Sequence, residues 1–221
     1  MQHTINYNRV QAIFAASQKS LGLQGSLFML LVALVLFTTS CKKDKQPLPP
    51  PGNENPAITY INLGDREIHY TGQGILLDLT GDNRTDVLFD LYRVGDPIEK
   101  VDKWWWTIYT GRETYLAIDR DNEIPLLSKG NLIPFENFNE YEWWVANEGN
   151  LMERKEHEDG RIVWSGRWLN VTTKYVAVSI LINGKRHNAW IEISTNNITQ
   201  TLTIHRAGIS KIPEVAIAAG I

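Results

Sequence analysis

Tyr175-Val176-Ala177-Val178-Ser179-Ile180-Leu181-Ile182-Asn183-Gly184-Lys185-Arg186-His187-Asn188-Ala189-Trp190-Ile191-Glu192-Ile193 is two β-rich runs joined at Asn-Gly. Asn-Gly is the preferred pair for a type I′ turn, because both central residues of that turn need a positive φ. Its twist matches that of antiparallel strands. Valine, isoleucine and tryptophan on either side fit a pleated, buried surface. The stretch therefore reads as a central β-hairpin.

Working outward, the same reading recurs. Ile58–Leu63 and Glu67–Tyr70 alternate, and strand candidates follow at 74–79, 85–92, 104–110, 113–119, 161–169, 174–182, 186–194 and 200–206. Turn residues separate them. Many short strands without interleaved helical patterns point to an all-β fold, an antiparallel β-sandwich of jelly-roll type, over residues 57–221. Asn147 to Asp159 is so charged that it reads as a loop or one short helix. Trp164 and Trp168 read as one face of a strand, directed into the core.

The chain before the domain is different. Met1 to Ser40 contains Arg9 and Lys19 and no Asp or Glu, and Leu27 to Phe37 is an unbroken apolar run of eleven residues. At ~1.5 Å per helical residue it reaches about 16 Å, half a bilayer core. That suits a signal peptide over 1–40 better than a membrane span. Thr38-Thr39-Ser40 and then Cys41 follow, the one cysteine in the chain. This order resembles a bacterial lipobox, with Thr38 where leucine is usual. The resemblance implies cleavage before Cys41 and lipidation of its sulfur. A lone cysteine has no intramolecular disulfide partner, which acylation explains. Residues 41–56 then read as a lipidated, Pro-rich linker through Pro47, Pro49, Pro50 and Pro51. Extended at about 3.1 Å per residue, it holds the domain up to ~45 Å from the lipid. The lysines at 42, 43 and 45 favour an outer-membrane lipoprotein facing the periplasm over one displayed on the surface.

Removing the first forty residues takes two of the 22 Lys+Arg and none of the 25 Asp+Glu, leaving 20 against 25 and a net charge of −5. That argues against a nucleic-acid-binding protein. The membrane, through Cys41, and a glycan are the partners that the sequence suggests.

The C-terminal third resembles uncharacterised secreted β-sandwich lipoproteins of the Bacteroidota. The parts are Lys174–Ile182, Asn183-Gly184, Asn188-Ala189-Trp190-Ile191-Glu192, Leu202-Thr203-Ile204 and a closing Ile217-Ala218-Ala219-Gly220. Asn188-Ala189 stands where Tyr-Gly is usual. The resemblance implies a fold and a cell-envelope location, and no reaction.

Asp78-Leu79-Thr80-Gly81-Asp82-Asn83-Arg84-Thr85-Asp86 resembles the Asp-rich Ca²⁺-binding loops of integrin-type repeats. In that scheme Asp78, Thr80 and Asp82 give side-chain oxygens, Arg84 its carbonyl, and Asp86 closes the site. Ca²⁺ takes six to eight oxygens, and Thr80 is a neutral hydroxyl where a stronger ligand is usual. The alternative is an Asp/Asn-stabilised turn without metal.

Eight tryptophans are many for this length. Trp104 and Trp106 share one face of a strand and Trp105 takes the other. Exposed indoles stack on sugar rings, so Trp104, Trp106, Trp143 and Trp144 are candidate glycan contacts. The competing role is to fill the sandwich core. No His-Glu-x-x-His, nucleophile elbow or phosphate loop occurs. Glycosidases need two carboxylates about 5–9.5 Å apart; the pairs Glu140/Glu142 and Glu156/Glu158 have period-two spacing, which is usually just a solvated face, and a glycan-active enzyme is the third alternative. The expectation is a lipid-anchored envelope protein that binds or braces, with one structural Ca²⁺ loop, a carbohydrate-binding module being the alternative.

Overall fold

A computed structural model describes Asn55 and residues 57–221. The expected signal peptide and linker, with Cys41, lie outside the described residues, Asn55 apart. The strands are β1 (Ile58–His69), β2 (Ile75–Leu77), β3 (Val87–Asp96), β4 (Val101–Thr110), β5 (Thr114–Ile118), β6 (Leu132–Ile133) and β7 (Glu142–Val145). Then come β8 (Glu148–His157), β9 (Ile162–Ser165), β10 (Lys174–Ile182), β11 (Lys185–Asn196), β12 (Thr201–Ser210) and β13 (Ile217–Ala218). No helix occurs among the described residues.

Two antiparallel sheets form the sandwich, as the strand pattern predicts. One has the order β1-β12-β11-β10-β5-β7 and the other β2-β3-β4-β8-β9, with β13 and β6 as a separate ribbon. The Asn183-Gly184 hairpin is as expected: φ is 51° and 76° at its two residues, and β10 pairs with β11 from Ile182↔Lys185 to Lys174↔Ile193. The alternating runs at 58–63 and 67–70 belong to one strand, β1. Its register shifts between Asn62 and Arg66, where Gly64 and Asp65 have positive φ, so the strand bulges and continues.

Two expectations are corrected. The charged stretch 147–159 contains no helix; it holds β8, paired with β4 from Tyr109↔Glu148 to Val101↔His157. Its alternation is hidden by a bulge between Asn150 and Met152, which leaves both Leu151 and Met152 buried. It is hidden again by Arg154, a charged residue that is itself buried. The strand expected over 161–169 stops at Ser165. Gly166 has φ +116°, and a Cβ there would meet the Leu151 carbonyl oxygen at 2.6 Å. Only glycine fits so close to a backbone in that conformation. Trp168 therefore lies off the strand, in the following turn. It is still fully buried, its Nε1 donating to the Ile124 carbonyl at 3.2 Å.

The main core lies between the sheets and includes Phe89, Trp106, Ile108, Leu116, Val178 and Ile204. A second core covers the outer face of the six-stranded sheet, with Ala117, Ile133, Tyr175, Ala177, Trp190 and Ile217. Neighbours on one strand divide between them: Val176 goes to the first core, Tyr175 and Ala177 to the second. This alternation needs both faces of β10 to be apolar, which explains its unbroken run. The closing Ile-Ala-Ala-Gly caps the second core. A Cβ on Gly220 would come within 2.4 Å of the Tyr175 ring. Residues Asn55–Ile221 form one compact unit.

Candidate functional site

The strand pattern sends the three tryptophans of β4 to opposite faces, and the six-stranded sheet packs on the inner one. Trp106 is 0% and Trp104 5% exposed. The Trp104 ring has the Arg93 guanidinium at 4.7 Å and that of Arg154 at 4.5 Å. Trp104 and Trp106 are core residues, and the expectation that they touch a glycan is corrected. Trp105 takes the outer face, nearly parallel to Tyr92 at 5.7 Å between ring centroids. Trp143 is half-buried: its Nε1 donates to the Glu136 carbonyl at 3.2 Å, and the Arg186 guanidinium stands 5.4 Å from its ring. That ring is committed to the fold. Trp144 is different, with 52% of its surface exposed.

Trp144 owes its exposure to position. β7 is an edge strand, with Trp144 opposite the buried Leu116 and Glu142 opposite Ile118. Side chains two apart on a strand share a face, so Glu142 stands beside Trp144. Beside them is a cleft of about 240 Å³. It is lined by Ile118, Asp119, Arg120 and Asn122 from the end of β5 and the turn after it, and by Glu140, Glu142, Trp144 and Asn147 from β7 and its flanks.

Asp119 ties the cleft to a charge network. Asp119 Oδ1 accepts the backbone N–H of Asp121 and of Glu123, both at 2.9 Å, which fixes the turn after β5. Arg167 stands 3.6 Å from Asp119 Oδ2 and 3.8 Å from Glu123 Oε2, and donates to the Tyr141 hydroxyl at 2.6 Å. Burial pushes the Glu123 carboxyl above the usual range; Arg167 opposes this, and Asp119 and Asp121 add to it. Burial likewise raises Tyr141. Arg167 thus links Tyr141 to Asp119, which lines the cleft with Trp144, Glu142 and Asn147.

The structure brings together Trp144 and the Glu140/Glu142 pair, which the sequence singled out separately. Asp119, Arg120, Asn122 and Asn147 carry no motif, and the run Asp119-Arg120-Asp121-Asn122 signals only a turn. The other carboxylate pair, Glu156/Glu158, lines a shallow, open depression between the β3–β4 and β8–β9 hairpin tips with Asp96, Lys100 and Asp102. Charges there are matched: Arg154 Nη1 is 2.9 Å from Glu156, and Arg93 2.8 Å from Asp102. Its lining includes the His157 imidazole and no tryptophan, tyrosine or phenylalanine.

The Asp-rich loop lies between β2 and β3 and is held by its own backbone. Asp78 accepts N–H groups from Gly81 at 2.7 Å, Asp82 at 3.2 Å and Asn83 at 2.8 Å. Asp86 is buried and accepts from Leu79 at 2.7 Å and Thr80 at 3.1 Å. Asn83 has a positive φ, 65°, which asparagine tolerates better than most residues. Arg84 pairs with Asp82 at 2.7 Å and with Glu113 at 2.8 Å. Against the raising effect of slight burial, the Arg84 N–H and guanidinium hold Asp82 below the usual carboxylate range. Burial pushes Asp86 up, the N–H groups of Leu79 and Thr80 oppose this, and the charges of Asp82 and Asp78 add to it. Among the described residues no three His, Cys, Asp or Glu side chains are grouped as metal ligands. A cation at Asp78, Thr80, Asp82, Arg84 and Asp86 would have to displace the Arg84 guanidinium from Asp82.

No family model, no curated protein and no solved structure matches the chain.

Proposed function

We propose that the chain is a lipid-anchored cell-envelope binding protein, and that its domain holds a saccharide against Trp144. The observation that carries this reading is the half-exposed Trp144 indole over a cleft whose other lining groups are mostly carboxylates and amides. An indole face gives a flat apolar surface for a sugar's C–H groups, and nearby carboxylates, amides and a guanidinium bond its hydroxyls. Ligand sites generally combine such an aromatic surface with a few placed polar groups. An array of saccharides probed with the domain from Asn55, wild type and Trp144→Ala, tests the reading. Binding that disappears in the variant supports it; binding that survives, or an array without signal, removes it.

The anchor is Cys41, in an outer-membrane lipoprotein facing the periplasm. The apolar run 27–37, the small residues before Cys41 and the lysines after it support that location. The full chain is expected in the membrane fraction and Cys41→Ala in the soluble fraction. Membrane retention of the variant would contradict acylation.

Calcium at 78–86 is the fastener in this reading. Three carboxylates and one arginine lie inside nine residues; burial disfavours ionisation of Asp86, and the charges of Asp82 and Asp78 add to this. A cation there would relieve that repulsion. Calcium at ten times its dissociation constant stabilises the native state by about 1.4 kcal/mol. That is about 4 °C in melting temperature for a domain of this size. The melting temperature in millimolar Ca²⁺ should exceed that in EDTA, and Asp82→Asn should abolish the difference. Equal melting in both solutions ends the calcium reading and leaves the hydrogen-bonded turn.

A further inference from the structure

We infer that the Trp144 cleft selects saccharides bearing a free amino group, and discriminates against uronates and other anionic sugars; this rests on the saccharide reading above. The aromatic surface alone would accept any sugar with an apolar face. The surrounding charge is what discriminates. Asp119, Glu140 and Glu142 line the cleft against one lining arginine, Arg120.

The three carboxylates are not equivalent. Asp119 is engaged by two backbone N–H groups and by Arg167, so its charge is largely compensated. Glu142 is exposed and shares the ligand-facing side of β7 with Trp144. Residues i and i+2 on a strand are separated by about 6.5–7 Å. That is roughly the width of one sugar ring with its substituent. A pyranose stacked on Trp144 therefore carries one ring substituent toward Glu142. An ammonium at that place gains a charge-assisted hydrogen bond. An acetamido group gains only a neutral one, and a carboxylate meets repulsion. Glu140, on the chain just before β7, adds to the same field.

The inference is tested by titration calorimetry of the domain from Asn55 with three tetrasaccharides. They are β-1,4-linked glucosamine, its fully N-acetylated counterpart and a galacturonate. At about pH 5.5 the amines are protonated and ordinary carboxylates ionised. The expected order is amine, then N-acetyl, then uronate, with about tenfold between the first two at low salt. In Glu142→Gln that gap should fall to about twofold, and 1 M salt should do the same, because screening shortens the Debye length to about 3 Å. Equal affinity for the first two tetramers, lost in Trp144→Ala, overturns the amine preference and leaves the saccharide reading standing. Tighter binding of the uronate, or binding of none of the three, also overturns the preference; the array then judges the saccharide reading separately. A gap that persists unchanged in Glu142→Gln overturns the role of Glu142.

Discussion

Trp106→Ala is expected to cost about 3–5 kcal/mol of stability, the range for removing a buried large aromatic from a packed core. Trp106 is completely buried on a central strand of the five-stranded sheet. Its ring packs against Trp164 at 5.4 Å, and its Nε1 approaches the Ile68 carbonyl of the other sheet at 3.4 Å. The substitution leaves a cavity between the sheets and removes a contact that ties them. Domains of this kind have about 5–15 kcal/mol in total, so the variant should sit close to unfolding at room temperature. Urea denaturation measures this directly. A loss below about 1 kcal/mol would mean that the sheets do not pack on this residue as described.

Trp144→Ala should do the opposite. Its half-exposed indole contributes little to the core, and surface substitutions usually change stability by less than about 0.5 kcal/mol. Its effect should fall on binding. Truncating an aromatic anchor in a binding site costs about 2 kcal/mol or more, which is on the order of thirtyfold in affinity. The two variants thus separate two uses of one residue type: folded but unable to bind, against able to bind only while folded. If Trp144→Ala bound saccharide as well as wild type, the cleft would not be the site.

The tryptophans also show how far the sequence alone could be read. Period-two alternation correctly put Trp104 and Trp106 on one face and Trp105 on the other. It could not say which face was core, because that depends on which sheet packs where. Trp143 and Trp144 looked alike as neighbours. They separate because neighbours on β7, an edge strand, face opposite ways: one ring packs on the covered outer face and the other is half-exposed. Edge position is a property of topology and leaves no local mark.

The hairpin at Asn183-Gly184 was legible because its turn chemistry and flanking apolar runs agree. β8 was not, because its bulge breaks the alternation and Arg154 is buried between aromatic rings where an apolar residue is the norm. Gly166 ends β9 through a close approach to Leu151, a contact between strands that no window of sequence contains. The Asp-rich loop was legible as a turn with inward-facing carboxylates. That Arg84 would sit on Asp82 and Glu113 was not, since Glu113 comes from a different hairpin. For the cleft, Trp144, Glu140 and Glu142 could be named in advance. Asp119, Asn122 and Asn147 join them only through the β5–β7 pairing.

The central claim is that one tryptophan of eight is the ligand contact. Indole N–H resonances of the ¹⁵N-labelled domain report on it most directly, one signal for each ring. On titration with the strongest saccharide from the array, the Trp144 signal should shift far more than any other, while those of Trp106, Trp168 and Trp190 stay in place. A Trp144 signal that does not move while that of Trp105 does would place the ligand on the outer face of the five-stranded sheet and contradict the account.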